Sequence, residues 1–205
     1  MAESEPSHQT TLLILLGASE WPYAKTLAAS EAFAKSADKV KAYFRGSYGL
    51  PNENFLDLFN TQNYVTEVDE KIRGFLVDRI KKMGKTDLPA RDLVFYYRGH
   101  GMFAEDQMRT YSLALYSSRA NSVLSSAFSV QALSNALKEG ARSLRRLVIL
   151  DSCFAGEAEK FMQADASEMA VRQTEHFFKG SSYGGSTKNR VLSSRLPISV
   201  NALDP

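Results

Sequence analysis

Two residues in this chain have the types and spacing to do covalent chemistry. Cys153 is the single cysteine and sits in "LVILDSCFAGE"; His100 sits in "LVFYYRGHG", about 50 residues earlier. A free thiol has a pKa of about 8.5 and is mostly protonated at neutral pH, so a nucleophilic cysteine needs a neighbouring group that favours the thiolate. A histidine supplies that group. Taken singly, each residue is ordinary: a lone buried cysteine behaves as a small hydrophobe, and a lone histidine after a strand is a satisfied structural residue. Each, however, lies just past an apolar run of strand type. If those strands are neighbours, about 4.8 Å apart, thiol and imidazole emerge at one edge of a sheet, where open α/β sheets bind their ligands. Gly99 and Gly101 are expected to let the chain turn sharply and a substrate backbone approach. The N–H groups of Gly101 and Cys153 are expected to hold an oxyanion.

The elements that must position this pair alternate in type. "TLLILLG" at 11–17 is a continuous apolar run ended by glycine, as a buried parallel strand requires. Phe33, Ala37, Val40 and Phe44 recur at helical spacing up to Gly46. A second strand is predicted at 54–60. Thr66 with Asp69 resembles a capping box, and Val68, Ile72, Phe75, Leu76, Ile80 and Met83 share one face of the helix that follows, up to Gly84. "DLVFYY" at 92–97 predicts a third strand, 110–116 an edge strand, and 145–151 a fourth apolar strand. A helix starts near Ser129 with Val130, Leu133 and Leu137 inward. Strands separated by helical stretches predict an α/β fold, a mostly parallel sheet with helices on both faces. From about Met162 the pattern decays, and 179–190 has the Gly- and Ser-rich composition of a linker.

Composition narrows the classes. The chain of 205 residues is 44% hydrophobic and 23% charged, which fits one ordinary globular domain. Lys and Arg total 25 against 23 Asp and Glu, a net charge of +2 that gives no reason to expect a nucleic acid or an anionic membrane as partner. The run 12–16 is far short of the roughly 20 residues that span a bilayer and lacks the flanks of a secretory signal. One cysteine excludes an internal disulfide framework, and one Cys with three His gives no zinc set, so a reduced, cytoplasmic protein without metal or cofactor is expected. His8 falls in a polar N-terminal tail, and His176 is expected at the surface or core edge. Glu67, Asp69 and Glu70 fit a helix N-terminus better than a calcium loop.

"YYRGHG" followed by "LVILDSCFAG" resembles the paired histidine and cysteine motifs of the caspase and metacaspase cysteine peptidases. The opening "LLILLGASEWPYAKTLAASEAFAKSADKVKAYF" resembles the first strand and helix of bacterial caspase-like domains, and the likeness extends over about residues 11–161. The resemblance implies a caspase-like fold in which His100 is the general base, Cys153 the nucleophile, and Gly101 and Cys153 the oxyanion donors. Caspases that cleave after Asp carry Gln-Ala-Cys at the nucleophile. Here Asp151-Ser152-Cys153 is similar to metacaspases, where the carboxylate lines a pocket for Arg or Lys. A carboxylate accepts a bidentate guanidinium, so cleavage after basic residues is expected, the alternative being that Asp151 merely caps the turn after its strand. Glu20 is a candidate second acidic wall of the substrate pocket. Arg98 stands where many relatives have a small Ser; it is expected to be a solvated residue on the sheet edge, the alternative being a binder of acidic groups.

The same resemblance divides the chain into a disordered tail at 1–10, the large catalytic portion at 11–178, and a linker with one possible extra strand at 179–205. Little sequence follows Cys153, so some C-terminal strands of the family sheet are expected to be lacking. The implied function is a cysteine endopeptidase acting on proteins or peptides and activated by processing, with Lys179, Lys188, Arg190 and Arg195 marking the segment to be cut. An activating protease, or a further chain completing the sheet, is the expected partner. An inactive or regulatory caspase-like binding module is the alternative.

Overall fold

In a computed structural model, residues 7–154, 163–179 and 189–193 are described. The strands are β1 (Thr11–Gly17), β2 (Phe55–Phe59), β3 (Asp92–Phe103), β4 (Tyr111–Leu113), β5 (Phe128–Ser129), β6 (Arg145–Phe154) and β7 (Asn189–Ser193). The helices are α1 (Glu31–Ala42), α2 (Val65–Met83), the single turn α3 (Val123–Ser126), α4 (Val130–Gly140) and α5 (Gln163–Lys179). The protein is thus α/β with a mixed sheet. No helix among the described residues is long and apolar enough to cross a membrane.

β3 is the organising strand. Along its first half it pairs in parallel with β1, which pairs in parallel with β2. Beyond the end of β1 the same edge of β3 is taken by β4, antiparallel, with β5 outside it. The other edge of β3 pairs in parallel with β6 along ten residues, and β7 adds to β6 in the same sense. Every residue of β1 is buried, which explains why its sequence is a continuous apolar run rather than an alternation.

Helices cover both faces. Val68, Ile72 and Leu76 of α2, Leu133 and Leu137 of α4, and Ala170 and Phe178 of α5 pack with Leu93, Phe95 and Tyr97 of β3 in one core. Each such fully buried aliphatic side chain contributes about 1.5–3 kcal/mol. A second, smaller core gathers Phe33 of α1 with Trp21, Leu27 and Met102. Alternation along β3 sends Leu93, Phe95 and Tyr97 to the larger core and Met102 to the smaller.

The β3–β6 register is pinned at its start by a bidentate ion pair, Arg145 Nε and Nη2 to the two carboxylate oxygens of Asp92 at 2.6 and 2.8 Å. A slip by one residue would break this fork and turn every apolar side chain to the wrong face. From that clamp the register runs without interruption to Gly101 opposite Phe154.

Several expectations are corrected. β3 does not end at Tyr97: β4 replaces β1 as its partner and carries the ladder to Phe103. β6 likewise continues through Asp151 and Cys153. The first turn of α2 is closed by the Glu67 carboxylate accepting from Tyr64 N–H at 2.7 Å, whereas Asp69 faces Arg73 one turn on. Residues 163–179, where the pattern was expected to decay, form the helix α5. His8–Thr10, assigned to a disordered tail, form a 3-10 turn with Thr10 buried, because Thr10 N–H and both threonine hydroxyls return to the Ser7 carbonyl. Of the segment expected to hold one further strand, 189–193 is β7; 180–188 and 194–205 lie outside the described residues.

Candidate active site

His100 is 5% exposed in the second half of β3. Its Nε2 lies 2.9 Å from the carbonyl oxygen of Ala28 in the β1–α1 connection. A carbonyl only accepts, so Nε2 carries a proton and donates it to Ala28 O. Two aromatic rings hold the imidazole: Trp21, with centroids 4.5 Å apart and planes at 46°, and Phe33, edge-on at 5.0 Å. The strand beneath is fixed as well. The Tyr97 hydroxyl reaches the carbonyl oxygens of His100 at 2.7 Å and Ala114 at 2.9 Å, and Ala114 N–H donates to His100 O at 3.0 Å.

Register brings the cysteine to this histidine. His100 is the ladder partner of Cys153, and two residues earlier Arg98 is the partner of Asp151. The second pair is an ion pair between Arg98 Nη1 and Asp151 Oδ1. The other carboxylate oxygen accepts from the Tyr96 hydroxyl at 2.9 Å. Arg98 is 6% exposed, with its guanidinium carbon 4.8 Å from the centre of the Phe33 ring. Phe33 therefore touches His100 and Arg98 together, which fixes both on the α1 face of the sheet. Burial, then the nearby Asp151 charge and the hydrogen bond to it, push the Tyr96 phenol up to about 12.

The sequence expectations fare unevenly here. Gly99 and Gly101 do not make a turn; both lie inside β3, and they are glycine because tyrosines fill the space a side chain would need. A Cβ at Gly99 would stand 2.7 Å from the Tyr97 hydroxyl, and one at Gly101 would stand 2.6 Å from the Tyr111 ring. The proposed oxyanion donors are ladder residues: Gly101 is paired with Leu113 on one side and Phe154 on the other, Cys153 with His100. Arg98 is not solvated, since Asp151 and Phe33 hold it under the α1 face. Asp151 does not cap a turn, because β6 continues past it, and it is not an open acidic wall, because both its oxygens are engaged. Glu20 is exposed beside Trp21. His176 is exposed on α5 and His8 is exposed beside Tyr48.

Trp21, Ala28 and Phe33 were not assigned to the site from sequence. Trp21 within a long connection between strand and helix was the available signal; a carbonyl acceptor such as Ala28 leaves no side-chain signature. Among the described residues no group of three His, Cys, Asp or Glu is arranged to hold a metal ion. Lys179 ends α5, Arg190 lies in β7, and Lys188 and Arg195 lie outside the described residues.

No family model matches the chain and no curated protein matches it. Among solved structures it is similar to the crystal structure of protein GSU0716 from Geobacter sulfurreducens, at 18% sequence identity and a TM-score of 0.47. That likeness covers 85% of this chain, which spans 63% of the length of its neighbour.

Proposed function

We propose that the chain is a caspase-like cysteine endopeptidase in which His100 and Cys153 form the reactive pair. The observation that supports this reading is register: Cys153 lies opposite His100 on the neighbouring strand, and because His100 Nε2 donates to Ala28 O, the reading assigns the reaction with the thiol to Nδ1.

In the proposed reaction His100 Nδ1 takes the thiol proton, and the sulfur attacks the carbonyl carbon of a peptide bond. The tetrahedral intermediate collapses as the C–N bond breaks, and the imidazolium returns the proton to the leaving amine. Water, deprotonated by the same Nδ1, then attacks the thioester carbonyl; the C–S bond breaks and the sulfur regains its proton. One peptide bond and one water become an acid and an amine. Gly101 and Cys153 N–H groups serve as oxyanion donors on this reading, which requires the end of the β3–β6 ladder to part when substrate binds. Processing between Lys179 and Arg195 is the proposed activating step.

One observation favours the alternative of a binding module: the ladder already claims the residues proposed to hold the oxyanion. Hydrolysis separates the two. A fluorogenic peptide library should be cut by the protein, before or after limited proteolysis of the 179–195 segment, and His100→Ala should lower the rate by orders of magnitude because base and nucleophile act as one unit. Cys153→Ala should abolish it. Hydrolysis that survives Cys153→Ala refutes the peptidase reading.

A further inference from the structure

The ion pair Arg98–Asp151 lies one pleat from His100 and Cys153, two residues earlier on each of the same two strands. Two strand residues span about 6.6 Å, roughly the reach from a scissile carbonyl to the head group of the side chain beside it. On the peptidase reading, on which this inference rests, the substrate side chain at the cleaved position therefore meets Arg98 and Asp151.

What that side chain finds there is set by the hydrogen bonds. Asp151 Oδ1 is bound by Arg98 Nη1 and Oδ2 by the Tyr96 hydroxyl. An incoming guanidinium or ammonium group would have to displace a guanidinium that is covalently tethered, already seated and packed on Phe33. A tethered group competes at a high effective concentration. Arg98, in contrast, has donors to spare: its Nε is buried with no partner among the described residues. A buried N–H left unpaired is unfavourable, and a ligand oxygen relieves it.

We propose that Arg98 is the specificity-determining residue of the substrate site: it withdraws the Asp151 carboxylate from basic side chains and selects a substrate whose side chain at the cleaved position is a carboxylate or carboxamide. The charge a basic substrate would use is thus satisfied from within the protein.

The test uses the full chain carrying Cys153→Ala, so that binding is read without turnover. Fluorescent peptides identical except for Glu, Gln or Arg at the cleaved position are titrated at fixed ionic strength, and anisotropy gives their affinities. The Glu and Gln peptides should bind about ten-fold more tightly than the Arg peptide. Adding Arg98→Ser should reverse the order, and adding Asp151→Asn to that variant should erase the new preference for Arg. Since Arg98→Ser leaves a half-buried carboxylate without its cation, Arg98→Gln is measured in parallel; it keeps an N–H for Asp151 and should shift the order the same way by a smaller factor. An Arg peptide bound as tightly as the Glu peptide before substitution overturns the inference, as does an order that neither substitution changes, or no binding by any peptide. These outcomes are separate from the fate of the peptidase reading, which stands or falls on hydrolysis that depends on Cys153.

Discussion

Tyr96→Phe removes one hydroxyl and should change both the size and the pH dependence of stability. At neutral pH it deletes a hydrogen bond to the Asp151 carboxylate, and a bond to a charged acceptor at a partly solvated site is worth about 1–2 kcal/mol. The alkaline limb is more diagnostic. The Tyr96 phenol titrates at about 12 in the folded protein against 10.0 in its unperturbed state. The folded pKa is the higher, so this contribution is complete below pH 10 and is lost as pH rises toward 12, where the unfolded chain gives up a proton that the folded chain retains. At 1.36 kcal/mol per pH unit the full loss is about 2.7 kcal/mol, about half of it by pH 11, and solvent at the half-buried hydroxyl reduces both figures. Phenylalanine has nothing to ionise. Urea unfolding of the two proteins at pH 8, 9, 10 and 11 should therefore show the wild-type advantage shrinking by about 1 kcal/mol toward pH 11. Parallel stability curves across that range would refute the assignment of the Tyr96 proton to Asp151.

Gly99→Ala should cost about 1–3 kcal/mol through overpacking against the Tyr97 hydroxyl; in urea unfolding, Gly99→Ala with Tyr97→Phe should be less destabilised than the sum of the two by about 1 kcal/mol. Gly17→Ala should abolish cooperative unfolding, since Gly17 has φ +145° and a Cβ there would stand 1.9 Å from the Arg98 carbonyl oxygen; circular dichroism on heating reads this. Trp21 is the sole tryptophan and lies tilted against His100 with ring centroids 4.5 Å apart, so His100→Ala, which removes that ring from beside the indole, should change its emission at neutral pH; an unchanged spectrum would refute the packing.

The parts of the fold carried by strong local patterns were legible. The apolar run of β1 needed only length and a closing glycine, and the face of α2 repeats too regularly to be misread. The strands that carry His100 and Cys153 were found, but their ends were not, because the extension of β3 depends on β4 arriving at its edge, a non-local event. Helix α5 escaped for a related reason: its buried positions include Ala170 and Thr174, a small residue and a polar one, so the apolar stripe is weak in sequence although the helix packs well. The glycines around His100 were read as turn formers because "GHG" shows nothing of the tyrosines that occupy the Cβ space. Arg98 was read as solvated for the same cause, since its partner Asp151 is distant in sequence and adjacent only through register.

The seat of His100 in the proposed pair is set from a third place in the chain, the connection between β1 and α1. Ser19 O accepts from Ser30 N–H at 2.9 Å, which closes this connection at its base, and Trp21 and Ala24 carbonyls accept from Ala24 and Leu27 N–H groups within it. Ser30 then caps α1 by accepting from Ala32 N–H. The result is a compact loop whose buried Trp21, Ala24 and Leu27 anchor it over the sheet, the form that holds a backbone carbonyl in place without a regular element. Ala28 O is that carbonyl. Because it acts through main-chain position, substituting Ala28 itself would leave the acceptor intact, whereas loosening the anchors would let the imidazole change tautomer or turn. The proposed reactive pair, written in two short motifs, thus depends on a loop that neither motif contains: β3 and β6 set where the His100 and Cys153 backbones stand, and the β1–α1 connection supplies the carbonyl that His100 Nε2 meets.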